Sequence, residues 1–364
     1  MNATAKRCLQ NLLLGIVIVT TLFALKLPAG HADASINNQK ATRVALFVNG
    51  TLGDKSFFDS AARGLAQARQ DLGLRTRVVE AGLDPSRWES SFEDLAEGHD
   101  FDIIATGGFA MVALVQRIAP QYPTTHFIVF DAAVDYAQCR CENVHSMLFR
   151  QNEGAYLAGF LAARVSETSS GATPVRLGAV GGMQIPVVDD FLLGFDAGAK
   201  AARPDVQLLR QYVNSFNDPA TAKEIAKAMY GKGVALIFHA AAGSGQGVIE
   251  ASAEAHRAAV GVDSDQYAIF KTSNPERARY ILTSVLKNVD AALLHALRRQ
   301  QAGQLVFGRV ESLGLAEGGI SLAAGSDMLS ALPPQILNEL AGVRRQLIDG
   351  SIKVPSVFDT HPTQ

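Results

Sequence analysis

Val44-Ala45-Leu46-Phe47-Val48-Asn49-Gly50-Thr51-Leu52-Gly53-Asp54-Lys55-Ser56-Phe57-Phe58-Asp59-Ser60-Ala61 runs a strand, a loop and the start of a helix in direct succession. An unbroken apolar run describes a strand buried on both faces, as in a parallel sheet covered by helices. A loop with two glycines follows, and the pattern from Phe57 onward is helical. In open parallel sheets, ligands collect beyond the carboxyl ends of strands. Two adjacent Phe rings there, beside a carboxylate, a lysine and a hydroxyl, are placed to stack on a flat ligand.

Outward from this unit the scheme repeats. Strand-like runs at 76–80, 102–106, 126–131 and 144–149 alternate with helical patterns at 57–72, 88–96 and 110–118. A second series has strands at 176–180, 206–212, 235–239, 258–262 and 280–285, with helices at 187–202, 219–230 and 247–256. Asp218-Pro219 is a helix start, with Asp as N-cap and Pro in the first turn. Short apolar strands alternating with amphipathic helices give an α/β protein with parallel sheets. Two series of similar size predict two similar lobes, and small ligands bind in clefts between such lobes. The tail departs from the scheme: a helix at 289–301, one or two strands with a Gly-rich turn at 305–322, and a helix at 334–349.

The chain has 364 residues, 48% apolar and 19% charged, with a formal net charge of -2. That balance speaks against a nucleic-acid partner, whose phosphates call for a basic surface. Residues 1–34 read as a cleavable secretory signal, with Lys6 and Arg7 before an apolar run at 12–25 and small residues at Ala32-Asp33-Ala34. The run is shorter than the roughly 20 residues that span a bilayer. Cys8 precedes it, so it is not placed as a lipid-anchored cysteine would be. The expectation is an exported protein, free in the periplasm. Cys139 and Cys141 are then either two thiols or a local loop staple, and they lack the Cys-x-x-Cys spacing of a redox centre.

Catalytic and cofactor motifs are missing. There is no Walker-type phosphate loop. Gly243-Ser244-Gly245-Gln246-Gly247 resembles a dinucleotide loop but has Val248 where the last glycine belongs. The eight histidines form no H-E-x-x-H or other close metal pair, and no serine sits in a G-x-S-x-G elbow. The sequence calls for no catalytic residue, metal or cofactor, and binding without turnover is the expectation.

Several loops carry a family resemblance. Asp54-Lys55-Ser56-Phe57, Gly107-Gly108-Phe109, Gln151-Asn152-Glu153-Gly154-Ala155-Tyr156-Leu157-Ala158-Gly159 and Gly181-Gly182-Met183-Gln184-Ile185-Pro186 resemble the basic membrane protein family. So do Ser215-Phe216-Asn217-Asp218-Pro219, Phe238-His239-Ala240-Ala241-Ala242-Gly243 and Gly261-Val262-Asp263-Ser264-Asp265-Gln266. These are the purine nucleoside receptor-like substrate-binding proteins of ABC importers. The resemblance implies a type I periplasmic-binding-protein fold: two Rossmann-like lobes with parallel sheets, joined by a three-stranded hinge. It implies lobes at 43–148 with about 287–310, and at 149–286 with about 311–358.

It also implies a purine nucleoside or nucleobase between the lobes, and docking of a monomer on a permease and its ATPase. Phe57 and Phe216 would sandwich the base. Asp131, Asp263 and Lys287 would hold the sugar, with Asn49 and Gly243 contributing from their loops. Stacking is worth about 1–3 kcal/mol per base, and carboxylates accept hydrogen bonds from ribose hydroxyls. Phe58 stands where the family has Asn, which makes the slot more apolar and admits a nucleobase or another flat heterocycle, flavin-like rings included. A ligand sensor and a nucleoside-processing enzyme are the other readings. Trp88 reads as packing, and Glu153 as a helix-start carboxylate.

Overall fold

The structure is a computed structural model that describes residues 41–170 and 174–359, with side chains of 168–170 left aside. The expected leader at 1–34, with Cys8 and His31, lies outside the described residues, as does His361. The first half runs β1 (Arg43–Val48), α1 (Phe57–Leu72), β2 (Arg75–Glu80), α2 (Trp88–Glu97), β3 (Ile103–Gly107), α3 (Val112–Ile118), β4 (His126–Phe130) and β5 (Val144–Phe149). The second half begins α4 (Gln151–Ser170), β6 (Arg176–Gly181), α5 (Pro186–Ala202), β7 (Gln207–Tyr212), α6 (Pro219–Gly231), β8 (Leu236–Ala240), α7 (Gly245–Ala255) and β9 (Ala258–Asp263). Then come α8 (Gln266–Ser273), α9 (Pro275–Ala278), β10 (Ile281–Lys287), α10 (Val289–Gln301), β11 (Arg309–Leu313), β12 (Ile320–Leu322), α11 (Asp327–Ser330) and α12 (Pro334–Ile348).

These elements form two α/β lobes. One sheet has the order β11-β5-β4-β3-β1-β2 and the other β12-β10-β9-β8-β6-β7. All pairings within them are parallel except β10 with β12. The reason lies in the side-chain alternation of strands. Along β1, Val44, Leu46 and Val48 pack in one core with Ala61, Leu65 and Ala68 of α1. Ala45 and Phe47 point to a second core with Phe92 of α2 and Val115 and Ile118 of α3. A strand with helices on both faces is apolar at every position.

The chain passes between the sheets three times: after β5 at Arg150, after β10 at Asn288, and between β11 and β12 from Gly314. These crossings are tied together. The Arg150 backbone N–H donates to the Leu313 carbonyl at 2.9 Å, and its guanidinium bridges Glu153 and Glu317. Glu153, read from sequence as a helix-start carboxylate, also accepts from the Leu315 N–H at 2.7 Å. Next to the crossing, α4 and α5 pack backbone to backbone: a Cβ on Gly198 would lie 1.9 Å from the Tyr156 carbonyl oxygen.

The short helices α8, α9 and α11 were not expected. Each is started by a side chain: Asp265 accepts from the Ala268 N–H, Asn274 from Arg277, and Ser326 from Leu329. Cys139 and Cys141 form a disulfide, with Cα atoms 5.2 Å apart, within the loop from β4 to β5. It is the local staple of the two alternatives. Among the described residues, no helix is long and apolar enough to cross a membrane, and no cluster of His, Cys, Asp or Glu could hold a metal ion.

Candidate functional site

The loop after β1 is built by two aspartates. Asp54 accepts from the backbone N–H groups of Ser56, Phe58 and Asp59, at 2.9, 2.9 and 3.2 Å, and so satisfies the open amides that begin α1. Asp59 reaches back to the N–H groups of Gly53 and Lys55, each at 2.8 Å. Burial pushes the Asp54 carboxyl up, and the three amides pull it part-way back. With Asp54 doing the capping, the Ser56 hydroxyl is free for another partner.

That partner lies in the other lobe. Ser56 Oγ donates to Asp263 Oδ2 at 2.5 Å. Lys55 and Gln266 add a second link, the Gln266 amide donating to the Lys55 carbonyl at 2.8 Å. Deeper in, Lys287 Nζ donates to Asp131 Oδ1 at 2.5 Å. Lys287 ends β10 in the second sheet and is 2% exposed, while Asp131 follows β4 in the first. The ammonium also stands 4.9 Å from the Phe191 ring centre, 5.7 Å from Phe149 and 5.9 Å from Phe57. Burial holds the Asp131 and Asp263 carboxyls above the ordinary carboxylate range, and Lys287 partly offsets this for both.

Asp131 and Asp263 share a further property. Their φ angles are 60° and 61°, in the left-handed region, which non-glycine residues enter at a cost. One aspartate in each lobe therefore turns sharply off its strand end. Strain of this kind is kept where the surrounding structure demands one side-chain direction.

Between the lobes lies a cavity of about 650 Å³. Its lining includes Asn49, Phe57, Phe58, Asp131, Phe216, Asp263 and Lys287, so seven of the eight expected residues face one space. Asn49 brings a buried Oδ1 with no hydrogen-bond partner among the described residues. The Phe58 ring lies against Gly50 and meets Phe57 edge-on, with centroids 5.1 Å apart. The Phe216 ring lies on Gly182, where a Cβ would come within 2.4 Å of it.

Gly243 is placed differently. It lies beneath the Phe216 loop: a Cβ there would sit 3.0 Å from the Phe216 carbonyl, and the neighbouring Ser244 N–H donates to that carbonyl. Ser244 Oγ also donates to Ser215 O and accepts from the Asp218 N–H, each at 2.8 Å. The glycine-rich loop thus carries the aromatic residue and does not line the cavity.

Other lining residues escaped the sequence reading. Trp88, read as packing, does pack against the second core and also lines the cavity; Phe109, Met183, Phe191, Asn214 and Asn217 line it too. Phe109, Met183 and Asn217 each sit inside a glycine- or Phe216-containing loop motif, and that was their signal. Phe191, on a helix with apolar residues around it, gave none.

Residues 41–357 match the family described as ABC transporter substrate-binding protein, PnrA-like. The chain belongs to that family. Among PnrA-like relatives, the Lactococcus lactis protein named ABC transporter nucleoside-binding protein BmpA is 30% identical over 340 residues, covering 90% of this chain and 92% of that one. Basic membrane protein D of Borreliella burgdorferi is 29% identical over 320 residues, covering 87% and 88%. A solved ABC transporter solute-binding protein from Aeropyrum pernix superposes with a TM-score of 0.76 at 27% identity, over 88% of this chain and 95% of the other. The resemblance read from the loop motifs and the two-lobed fold agree with these matches. As a PnrA-like protein, the chain is the substrate-binding component of an ABC transporter.

Proposed function

We propose that this PnrA-like protein captures a purine nucleoside or nucleobase between its lobes and delivers it to an inner-membrane permease and ATPase. One observation carries this reading. Aromatic rings from both lobes, Phe57 and Phe216, line the same cavity as the buried trio Asp131, Asp263 and Lys287. A purine nucleoside offers a π face for the rings and hydroxyls for the carboxylates. The name of the Lactococcus lactis relative supports a nucleoside ligand.

The lobes that move are the two sheets with their helices, 43–149 with 288–313 and 150–287 with 314–358. A ligand that touches both lobes only when they are closed shifts the population to that state. The protein acts as a periplasmic monomer released from its leader, and it binds without turning its ligand over. Mass spectrometry of the ligand released on denaturing the purified protein tests the reading. A purine supports it, and a sugar or amino acid in its place overturns it. Incubation with inosine that yields free hypoxanthine would overturn the non-enzymatic part.

A further inference from the structure

A buried charged trio and a group of exposed apolar side chains both line this cavity. Asp131, Asp263 and Lys287 come from the ends of β4, β9 and β10, near the side of each sheet where the chain crosses between lobes. Farther from that side come Leu83, Pro85 and Trp88, which follow β2; Phe109 after β3, the neighbour of β4, and Met183 after β6 complete an apolar group, while Asp54 after β1 also lines the cavity. In the first sheet, β4 and β2 are separated by three strand spacings, roughly 14 Å at the usual interstrand distance.

The apolar group carries no charged side chain, and its one polar ring atom is already engaged. Trp88 Nε1 donates to the Gly82 carbonyl at 2.8 Å, so the indole offers the cavity only apolar surface. Leu83, Phe109 and Met183 are 56%, 59% and 36% exposed. They make up three of the six large apolar side chains exposed among the described residues, gathered at one mouth from two lobes. Isolated exposed apolar residues need no explanation, but a group that continues a ligand cavity does.

We infer that the ligand carries an apolar substituent on the edge of its base remote from the sugar, and that Leu83, Trp88, Phe109 and Met183 form its subsite. This rests on the purine reading above. A base held between the lobes, with its sugar at Asp131 and Lys287, directs its outer edge toward this mouth. The substituent covers apolar surface that is otherwise left in water, and that transfer is favourable.

The test is calorimetric titration of protein freed of bound ligand by unfolding and refolding. The probes are adenosine and an adenosine carrying a benzyl group on its exocyclic amine. The benzylated nucleoside is expected to bind about tenfold more tightly. In Phe109→Ala and Leu83→Ser, both at exposed positions, the ratio of the two affinities, each measured on the same variant, falls below about threefold. If adenosine binds and the benzylated form binds equally or more weakly, the inference fails and the purine reading stands. A preference that survives both substitutions also overturns it, since the mouth would then serve another purpose such as permease docking. If neither compound binds, this inference fails, and mass spectrometry of the released ligand decides the purine reading separately.

Discussion

Lys287 Nζ meets Asp131 Oδ1 at 2.5 Å, joining the last residue of a strand in one sheet to the residue just past a strand in the other. Both groups are buried, and both face the cavity. A ligand hydroxyl entering here must insert into or extend this pair, so binding is an exchange of partners. Breaking the pair from one side leaves a buried charge. Lys287→Met is expected to lower the stability of the ligand-free protein by about 2–3 kcal/mol, somewhat under the usual cost because the cavity admits water. The double variant Lys287→Met with Asp131→Asn should recover more than half of that. Urea denaturation measures both, and a double variant no more stable than the single would show that the pair is not coupled.

Phe216 is held by its backbone on the Ser244 loop and by its ring on Gly182, at the edge of the main core, so truncating it removes a platform from the cavity wall. Phe216→Ala should weaken ligand binding by at least tenfold, from a stacking contribution of about 1–3 kcal/mol. Unchanged affinity by calorimetry would remove the ring from the slot.

Phe58 stands where the family resemblance leads us to expect an amide. Its ring fills the space against Gly50. Phe58→Asn exchanges apolar wall for a donor and an acceptor, and should raise the affinity for inosine relative to hypoxanthine by about fivefold, the scale of one added neutral hydrogen bond. A ratio that does not move would mean that Phe58 shapes the loop and not the ligand.

His239 ends up fully buried beside Gly245, with neither ring nitrogen hydrogen-bonded among the described residues, and burial pushes it down to about 4. The unfolded chain takes up this proton near 6.5, so between about pH 6.5 and 4 the unfolded state binds more protons and stability falls as pH falls. The loss by pH 4 is up to about 3 kcal/mol. His239→Leu should flatten this acid limb while leaving the neutral-pH cavity and ligand affinity in place. Equal slopes of stability against pH in the two proteins would assign the acid sensitivity elsewhere.

The parallel strands and longer helices were legible because each is a local statement. Val44 to Val48 can only be covered on both faces, and Asp218-Pro219 can only start a helix there. The end-of-strand positions of Phe57, Asp131, Phe216 and Asp263 followed from the same reading. What stayed hidden was either short or distant. The helix Gln266–Ser273 is too brief to show a period, and only its caps Asp265 and Asn274 announce it. The resemblance put Asp131, Asp263 and Lys287 around one ligand, but nothing in the sequence shows that Ser56 bonds to Asp263 or Lys287 to Asp131, since those bonds join residues of two lobes. Gly243 supports the rim where it was expected to line it, and Trp88 lines the cavity as well as packing, for a related reason: loops after strands crowd one rim, and which of them faces inward is decided by the neighbours they lean on.

The interleaving of the two sheets sets the order in which this protein becomes complete. β5 gains its neighbour β11 only when residues 309–313 exist, and α1 waits for α10, on which it packs. A nascent or secreting chain cut anywhere between residues 150 and 288 therefore holds a first lobe with an open strand edge and an uncovered helix face. Neither lobe is a contiguous stretch, so neither can be excised as one. During synthesis and export the first half must be kept from pairing with other chains until its own last strand arrives, and proteases meet their best substrate in that interval.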